Sequence, residues 1–498
     1  MSAFTMIPQP ARCEKAEGRL TIAPYYACAD AALLPVCEVF SDAADRIHGV
    51  FFSDAGSAQT ALDPALAVND YVAAFAEGSK DAGAAASGII RFAFDAALAA
   101  DEYAIDITDA GCSVKAGGME SANYAAATLV QLLEKNGDAL SLPKGHIQDE
   151  PVSEWRGLMV DLARQWHPVE YLFRYIDLCW LYKIDRLQLH FTDDQSYTLP
   201  SKAFPALPTQ GRTYTVAQLN ALREYAAARG VVLVPEVDFP GHSLQFNTRL
   251  PEIFGAQHVS CCEEKTFAAI GTLLDEVFAL FPDAPYFHLG GDEAQLELWN
   301  ECPGCVAYRE EHGLPDVHAQ YAHYVDRIAR MVLERGKTPV AWEGFAKEYN
   351  HMVTKELLVF SWENYYQIAP ELVEGGFTII NASWKPNYVV TPAAMWSREE
   401  ILEWNPRRWT HFWEKSKAFN TWISVSDEAP VLGGQLCAWG DRLTQYTTRH
   451  GGAREEFANV AQRLPAVAER CWQPNGCVAE DAVWEAAAAM AAKLTGIG

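Results

Sequence analysis

Eight short apolar runs, separated by segments of helical character, leave few folds open to this 498-residue chain. Nearly unbroken apolar runs are typical of strands buried on both faces of a parallel sheet. Helical segments such as 169–181 and 216–229 lie between them. Eight strands alternating with helices predict an α/β fold built on a closed (β/α)₈ TIM barrel. The predicted strands are Gly157–Leu162, Arg186–Phe191, Val231–Val237, Tyr286–Leu289, Thr338–Trp342, Leu357–Ser361, Phe377–Asn381 and Val431–Cys437.

The alternative arrangement is an open doubly wound sheet, which usually carries a glycine-rich phosphate loop that this sequence lacks. Residues 1–150 are alanine-rich, with short strand-like runs and one helical segment, and predict a small α/β accessory domain before the barrel. The barrel then occupies residues 151–475, and residues 476–498 form a helical extension.

Polar or aromatic residues follow every predicted barrel strand. Because the carboxyl ends of barrel strands meet at one rim, which holds the catalytic residues of such enzymes, these side chains are expected to share a site. They include Asp161, Arg164, Asp193, Glu236, Asp238, His242, Asp292, Glu293, Trp342, Glu343, Trp362, Glu363, Asn381, Trp384, Tyr388, Trp439 and Asp441.

The fourth predicted strand is followed by Gly290-Gly291 and then by two adjacent acids, Asp292 and Glu293. The glycines allow a sharp turn that places both carboxylates at the strand end. Adjacent residues there point in different directions, so the two acids can contact different atoms of one substrate. Two acids with different roles are the minimum for splitting an acetal. A solvated acidic turn is the simpler reading of the four residues alone.

Composition narrows the class of partner. The net charge of −26 disfavours nucleic acid or an anionic membrane, because phosphates would be repelled. The 15 tryptophans and 20 tyrosines suit stacking on sugar rings, although large aromatic cores would also use them. As the sequence stands, it shows no export signal and no membrane-spanning run, which predicts a cytoplasmic protein, or a secreted or periplasmic one if a signal was trimmed.

Twelve cysteines are scattered along the chain, which favours reduced, buried thiols. The exception is Cys302-Pro-Gly-Cys305, which the vicinal pair Cys261-Cys262 accompanies in the sequence. Four thiolates could hold structural zinc or form disulfides, but the spacing is irregular, so free cysteines are expected and no metal site is predicted.

Five ordered motifs resemble those of the family 20 glycoside hydrolases, the β-N-acetylhexosaminidases. The resemblance covers roughly residues 150–475, and the amino-terminal unit resembles the family's accessory α/β domain. It implies a (β/α)₈ catalytic barrel without a cofactor, acting on a glycan or glycoconjugate. The motifs are Trp155-Arg-Gly-Leu-Met-Val-Asp-Leu-Ala-Arg164, Leu189-His-Phe-Thr-Asp-Asp-Gln195, Val234-Pro-Glu-Val-Asp-Phe-Pro-Gly-His-Ser243, His288-Leu-Gly-Gly-Asp-Glu293 and Gly433-Gly-Gln-Leu-Cys-Ala-Trp439.

The resemblance implies an exo-acting, retaining hydrolase that removes terminal β-linked N-acetylglucosamine or N-acetylgalactosamine. In this family the 2-acetamido oxygen of the substrate attacks the anomeric carbon and forms an oxazolinium intermediate. Glu293 matches the general acid and base, which must hold a proton near neutral pH. Asp292 matches the carboxylate that orients the acetamido N–H and must stay ionised.

The supporting roles also come from the resemblance. Arg164 matches a clamp on the sugar's 3- and 4-hydroxyls. His242 and Asp193 match a buried relay that holds the acid, although a buried His-Asp pair can also be purely structural. Tyr388 is the candidate for the hydroxyl that binds the acetamido oxygen. The aromatic walls around the acetamido group and sugar face are expected at Trp342, Trp362 and Trp439.

Two departures from the family pattern concern the distal hydroxyls of the sugar. The common Tyr-Leu-Asp after the seventh strand is Tyr388-Val389-Val390 here, and the common Trp-x-Glu after the last strand is Trp439-Gly-Asp441. Asp441 is one methylene shorter, so it is expected to reach the 4- or 6-hydroxyl less directly or through water. The choice between gluco and galacto substrates, the tolerance of 6-sulfate and the oligomeric state stay open.

Two other classes of protein compete with this prediction. A metal-dependent barrel hydrolase would need a His-x-His or carboxylate-His cluster, and His190, His242 and His288 lack that spacing. A sugar-binding protein that has lost catalysis would tolerate loss of the acids, yet both are present. The hydrolase prediction is therefore preferred.

Overall fold

The structure, a computed structural model, describes residues 4–55, 88–390, 394–441 and 452–497. Eight parallel strands form a closed barrel, as predicted. Each strand pairs with the next along the chain, and the eighth pairs with both the seventh and the first. The strands are Trp155–Asp161, Arg186–His190, Val232–Glu236, Tyr286–His288, Thr338–Trp342, Leu358–Ser361, Thr378–Asn381 and Val431–Ala438.

The observed strand ends differ from the predicted ones by two residues at most. The register aligns the strand ends, since His190 pairs with Asp161 on one side and with Glu236 on the other. These three charged side chains therefore lie at one level of the barrel, at the carboxyl-end rim. Apolar residues of the strands, such as Leu158 and Leu187, are fully buried against the helices.

Helices surround the barrel and cover its apolar outer face. Local capping starts several of them: Thr215 and Gln218 form a capping box, and Asp316 accepts from the amides of His318 and Ala319. The fifth connection carries a short 3₁₀ helix, Lys347–Met352. The longer helices are Val169–Leu181, Val216–Ala228, Glu264–Leu280, Pro303–Glu311, Val317–Leu333 and Ala453–Trp472, with shorter ones at Leu244–Arg249, Pro251–Phe254, Ala369–Glu374, Trp384–Asn387 and Arg398–Leu402.

The eighth barrel strand has two partners on one edge. Its first half pairs with the seventh strand, and its last residues, Cys437 and Ala438, pair with the short strand Tyr388–Val389. The amide of Trp439 also donates to the carbonyl of Val389 at 3.0 Å. The connection after the seventh strand thus returns to the barrel and places Tyr388 at the rim.

In its described residues, 4–55 and 88–150, the amino-terminal domain is a mixed sheet with two α-helices, Leu34–His48 and Met119–Leu132. The carboxyl-terminal helix, Asp481–Thr495, packs against Leu34–His48 and against the first barrel helix. No helix in the described ranges is long and apolar enough to cross a lipid bilayer. The strands of this domain are Arg12–Ile22, Tyr25–Cys28, Ser53–Asp54, Ile90–Phe94, Tyr103–Thr108, Gly111–Ala116, Glu134–Asn136 and Ala139–Asp149.

Candidate active site

The turn after the fourth barrel strand requires both of its glycines. Gly290 and Gly291 have φ of +73° and +99°, the left-handed region that side chains disfavour. A Cβ at Gly290 would lie 1.8 Å from Oδ1 of Asp238 on the neighbouring connection. The amide of Gly291 donates to that same oxygen at 3.0 Å. The glycines therefore let this turn approach the Asp238 side chain closely and direct the next two residues into the rim.

Asp292 and Glu293 have different surroundings. The side chain of Asp292 is 8% exposed and that of Glu293 is 56% exposed. Both carboxylates face one imidazole nitrogen, since Nε2 of His242 lies 3.7 Å from Oδ2 of Asp292 and 3.4 Å from Oε2 of Glu293. Glu293 and His242 each have φ of +46°, a conformation that costs free energy in non-glycine residues and is concentrated at functional sites.

A chain of charges extends inward from this imidazole. Nδ1 of His242 lies 3.5 Å from Oδ2 of Asp193, which also contacts Arg164 at 2.8 Å and His190 at 3.0 Å. Burial opposes protonation of His242, but the carboxylates of Asp193 and Asp292 outweigh it and hold its pKa well above the ordinary value. His242 is therefore a cation at neutral pH, and it favours an ionised carboxylate at Asp292.

Asp238 is a third acid beside this pair. It is fully buried, and burial together with the nearby Asp292 carboxylate raises its pKa well above the ordinary value. The raised pKa favours the protonated form of Asp238, which lessens its repulsion with the neighbouring Asp292.

One oxygen of Asp292 is unusual. Its Oδ1 is buried and has no hydrogen-bond partner among the described residues. A buried carboxylate oxygen without a donor costs free energy unless a ligand supplies the missing hydrogen bond. The site is therefore arranged to receive an N–H or O–H donor at this atom.

Four aromatic side chains enclose the space beside Asp292. The rings of Trp362 and Tyr388 are parallel with centroids 6.2 Å apart, and Trp439 lies 5.9 Å from Tyr388 and 5.7 Å from Trp342. All four are at most 8% exposed. The amide of Trp342 donates to the carbonyl of Gly290 at 2.9 Å, which places the cage beside the turn that carries Asp292. The four rings, called the aromatic cage below, form an apolar wall at the rim.

Arg164 and Asp441 form an ion pair at the rim, next to Trp439 of the aromatic cage. Nε of Arg164 lies 2.8 Å from Oδ1 of Asp441, and the guanidinium lies 4.9 Å from the ring centre of Trp439. Asp161 holds the same guanidinium from below at 3.2 Å. All ten predicted site residues thus lie in one region at the carboxyl-end rim.

Comparisons with known proteins agree with this architecture. The sequence model described as "Glycosyl hydrolase family 20, catalytic domain" matches residues 153–475, and that of "Glycosyl hydrolase family 20, domain 2" matches residues 4–150. The chain belongs to glycosyl hydrolase family 20, the β-N-acetylhexosaminidases. It is a glycoside hydrolase, which confirms the family and the class of enzyme predicted from the five motifs.

Curated relatives and solved structures of this family resemble the chain over most of its length. A beta-hexosaminidase of Akkermansia muciniphila is 29% identical over 416 residues, covering 76% of this chain and 80% of the relative. A beta-hexosaminidase subunit beta of Entamoeba histolytica is 25% identical over 401 residues, covering 75% and 69%.

Two solved structures have the same fold. The family 20 exo-β-N-acetylglucosaminidase of Vibrio harveyi, in complex with N-acetylglucosamine, has a TM-score of 0.79 at 21% identity and covers 100% of this chain and 79% of its own. The family 20 β-N-acetylhexosaminidase of Streptomyces coelicolor has a TM-score of 0.73 at 22% identity, with coverages of 100% and 97%.

Two buried residues of the family 20 site, Glu236 and Asp238, received no role from the sequence. Glu236 accepts from Nε1 of Trp342 at 2.8 Å and contacts His190 at 2.9 Å and His288 at 3.1 Å. It thereby fixes the indole of one cage tryptophan. Asp238 was visible only as the second member of Glu236-Val-Asp238. The sequence signal for both residues was a polar side chain at the end of a buried strand. The partners of these side chains could not be identified without the fold.

The cysteines near the acid loop are grouped differently from the set considered in the sequence. Cys261, Cys302 and Cys305 approach one another, and the fourth side chain of the group is Glu263 rather than Cys262. A disulfide here would therefore draw on three thiols, and a metal site would draw on the carboxylate of Glu263 as well. Cys262 is fully buried in the hydrophobic core.

Proposed function

We propose that this hydrolase removes terminal β-linked N-acetylhexosamine through attack by the substrate's own acetamido oxygen. The observation that carries the proposal is the buried Oδ1 of Asp292, without a partner among the described residues, beside an apolar aromatic cage. An acetamido group has one N–H donor and one methyl group, and the site offers one acceptor and one apolar wall. Plain hexosides would leave both unfilled.

Asp292 accepts the acetamido N–H and stabilises the positive charge that develops as the oxazolinium forms. This role requires an anion, and the His242 imidazole 3.7 Å away, whose pKa is raised, supports that charge state. The carbonyl oxygen of the acetamido group then attacks C1 while the bond from C1 to the leaving oxygen breaks. Tyr388, on the wall of the aromatic cage, is placed to hold that carbonyl.

Glu293 donates its proton to the leaving oxygen in the same step. Its exposed side chain reaches the opening of the site, where the rest of the glycan departs and water enters. Glu293 then removes a proton from water as the water oxygen bonds to C1, the oxazolinium ring opens and the acid is regenerated. The second displacement restores the original β configuration.

Arg164 and Asp441 bind the far side of the sugar. A guanidinium provides a rigid fork of donors and an aspartate accepts from a hydroxyl, so together they suit adjacent ring hydroxyls. Asp161 and Asp193 hold Arg164 in place. Because Asp441 is itself paired with Arg164, the sugar hydroxyls bind to both side chains together.

A panel of aryl β-glycosides tests the proposal. We expect release of the aryl group from β-GlcNAc or β-GalNAc substrates and a kcat/KM lower by at least about 10³-fold for β-glucoside, which lacks the internal nucleophile. A thiazoline mimic of the oxazolinium should inhibit competitively. Cleavage of β-glucoside at a comparable rate would exclude attack by the acetamido group.

A further inference from the structure

Three thiols and one carboxylate converge beside the acid loop, away from the aromatic cage. We call Cys261, Glu263, Cys302 and Cys305 the cysteine cluster. One ligand atom from each lies within 4.8 Å of the others. Two of the side chains come from the connection after the third barrel strand and two from the connection after the fourth. The cluster therefore joins two segments that are distant in sequence.

The spacing of the sulfur atoms fits ligands of one metal ion. Sγ of Cys261 and Sγ of Cys302 are 3.5 Å apart, and Sγ of Cys302 is 3.8 Å from Oε1 of Glu263. Tetrahedral zinc with Zn–S bonds of about 2.3 Å separates its sulfur ligands by roughly 3.8 Å. A disulfide would require about 2.05 Å, and it would leave the third thiol unused.

The backbone around the cluster is shaped for close approach of the ligands. A Cβ at Gly255 would lie 2.3 Å from Sγ of Cys261, and one at Gly304 would lie 2.1 Å from Oε1 of Glu263. Any larger residue at either position would displace a side chain of the cluster. Glycine at both positions is therefore required by the cluster itself, in addition to the φ of +84° at Gly255.

Backbone amides donate to two of the sulfur atoms. The amide of Cys262 lies 3.3 Å from Sγ of Cys305, and the amide of Cys305 lies 3.5 Å from Sγ of Cys302. Nζ of Lys265 lies 3.1 Å from the second carboxylate oxygen of Glu263. Such outer contacts orient ligands and offset the negative charge of thiolates.

We propose that the cysteine cluster binds one structural zinc ion through Cys261, Cys302, Cys305 and Glu263. Three sulfur atoms select a thiophilic divalent ion with tetrahedral preference, and zinc is the commonest such ion. The protein supplies all four ligands, so no coordination position is left for a catalytic water. The site stabilises the fold and takes no part in the bond cleavage.

The bound zinc cross-links the two loops that carry the acid pair and its histidine. His242 precedes Cys261 on one loop, and Cys302 follows Glu293 by nine residues on the other. The indole of Trp299 donates to the carbonyl of Ser260 at 3.0 Å, next to the cluster. Zinc thus restrains the mutual position of His242 and Glu293, and its effect on turnover is indirect.

Metal analysis of the purified full-length enzyme tests the proposal directly. We expect about one zinc per chain after dialysis against a weak chelator. Replacement by Co²⁺ should give a thiolate-to-cobalt charge-transfer band and the intense d–d bands of a tetrahedral site. Absence of metal from enzyme produced with added zinc, and no uptake of Zn²⁺ or Co²⁺ by the reduced enzyme, would overturn the proposal. A disulfide within the cluster, found by thiol counting without reductant, would overturn it as well.

Variants distinguish ligands from other cysteines. Cys302→Ser should lose the bound zinc, and Glu263→Gln, which is isosteric, should retain the fold but release zinc to a chelator roughly 10- to 100-fold more readily. The matched control is Cys28→Ser, because Cys28 is a half-buried thiol 2.9 Å from Cys37 in the amino-terminal domain. Zinc content unchanged in both cluster variants, or reduced equally by Cys28→Ser, would contradict the assignment.

Discussion

The junction between the two domains and the carboxyl-end rim of the barrel both bury charged side chains, but their partners differ. At the junction, Asp149 accepts from Tyr103 at 2.7 Å and from the indole of Trp472 at 3.0 Å, and it contacts Lys183 at 3.3 Å. At the rim, Oδ1 of Asp292 is buried and has no hydrogen-bond partner among the described residues.

The difference between Asp149 and Asp292 distinguishes a buried charge that stabilises the fold from one that serves chemistry. A fully paired buried ion is costly to disrupt, because removal of one partner leaves the other uncompensated. An incompletely paired carboxylate destabilises the free enzyme and becomes satisfied only when substrate binds. Mutations at the junction should therefore lower stability more than turnover, and mutations at the rim should lower turnover more than stability.

The largest effect is expected for the exposed acid of the rim. Glu293→Gln should lower kcat by about 10³- to 10⁴-fold, because the leaving oxygen loses its proton donor. The thermal unfolding midpoint should stay within about 1 °C of the parent, since the side chain is half exposed. Steady-state kinetics and calorimetry provide the two measurements. Turnover within tenfold of the parent would remove Glu293 from the mechanism.

At the junction, Asp149→Asn should lower the free energy of unfolding by about 3 kcal/mol, because buried Lys183 loses its counter-ion. The kcat of the folded fraction should not change. Denaturant titration and kinetics below the transition check both expectations. If this variant were as stable as the parent, the ion pair between Asp149 and Lys183 would make no contribution to stability.

Asp292→Asn should lower kcat by about 10²- to 10³-fold, because the amide cannot stabilise the oxazolinium charge. Its unfolding midpoint should equal or exceed that of the parent, since an incompletely paired carboxylate is removed. Melting curves of this variant and of Asp149→Asn make the comparison directly. Equal destabilisation of both would mean that the rim and the junction do not differ in the way described.

The smallest effect is a pH dependence at the rim. Burial, followed by the carboxylates of Glu343, Glu293 and Asp292, raises the pKa of Glu363 from 4.5 to about 8. The folded enzyme then keeps a proton that the unfolded chain releases, so the free energy of unfolding falls as pH rises from 4.5 to about 8. Glu363→Gln should remove this pH-dependent fall in the free energy of unfolding.

The midpoint of Glu363→Gln should match that of the parent near pH 4.5 and exceed it by roughly 2 °C at pH 8. Differential scanning calorimetry across this range measures the difference. The exposed Glu310→Gln serves as control and should show no such trend. A constant difference at every pH would show that Glu363 does not retain its proton in the folded state.

Much of the fold could be predicted from the sequence, because barrel strands that are buried on both faces are recognised by local runs of apolar residues. The strand Thr338–Trp342 was placed with its observed bounds, since both of its faces are buried and apolar residues continue through it. The rim followed from the same pattern, because strand ends mark one edge. The fifth connection was less predictable: the segment Lys347–Met352 is a 3₁₀ helix that depends on packing by its neighbours.

The partners of individual side chains could not be predicted from the sequence. The roles of Glu236 and Asp238 depend on residues more than forty positions away in the sequence, and burial shifts their pKa values. The cysteine cluster shows the same limit, since the sequence showed four neighbouring cysteines but could not show that Glu263, and not Cys262, lies beside the other three.

The short strand Tyr388–Val389 has a consequence for substrate selection. Because this strand pairs with Cys437–Ala438 and accepts the Trp439 amide, two walls of the aromatic cage are connected through main-chain hydrogen bonds. This pairing fixes the spacing of the two backbones, so a wider cage would need different ring rotamers or a break in the pairing. We therefore expect a substrate with a longer N-acyl chain to bind poorly.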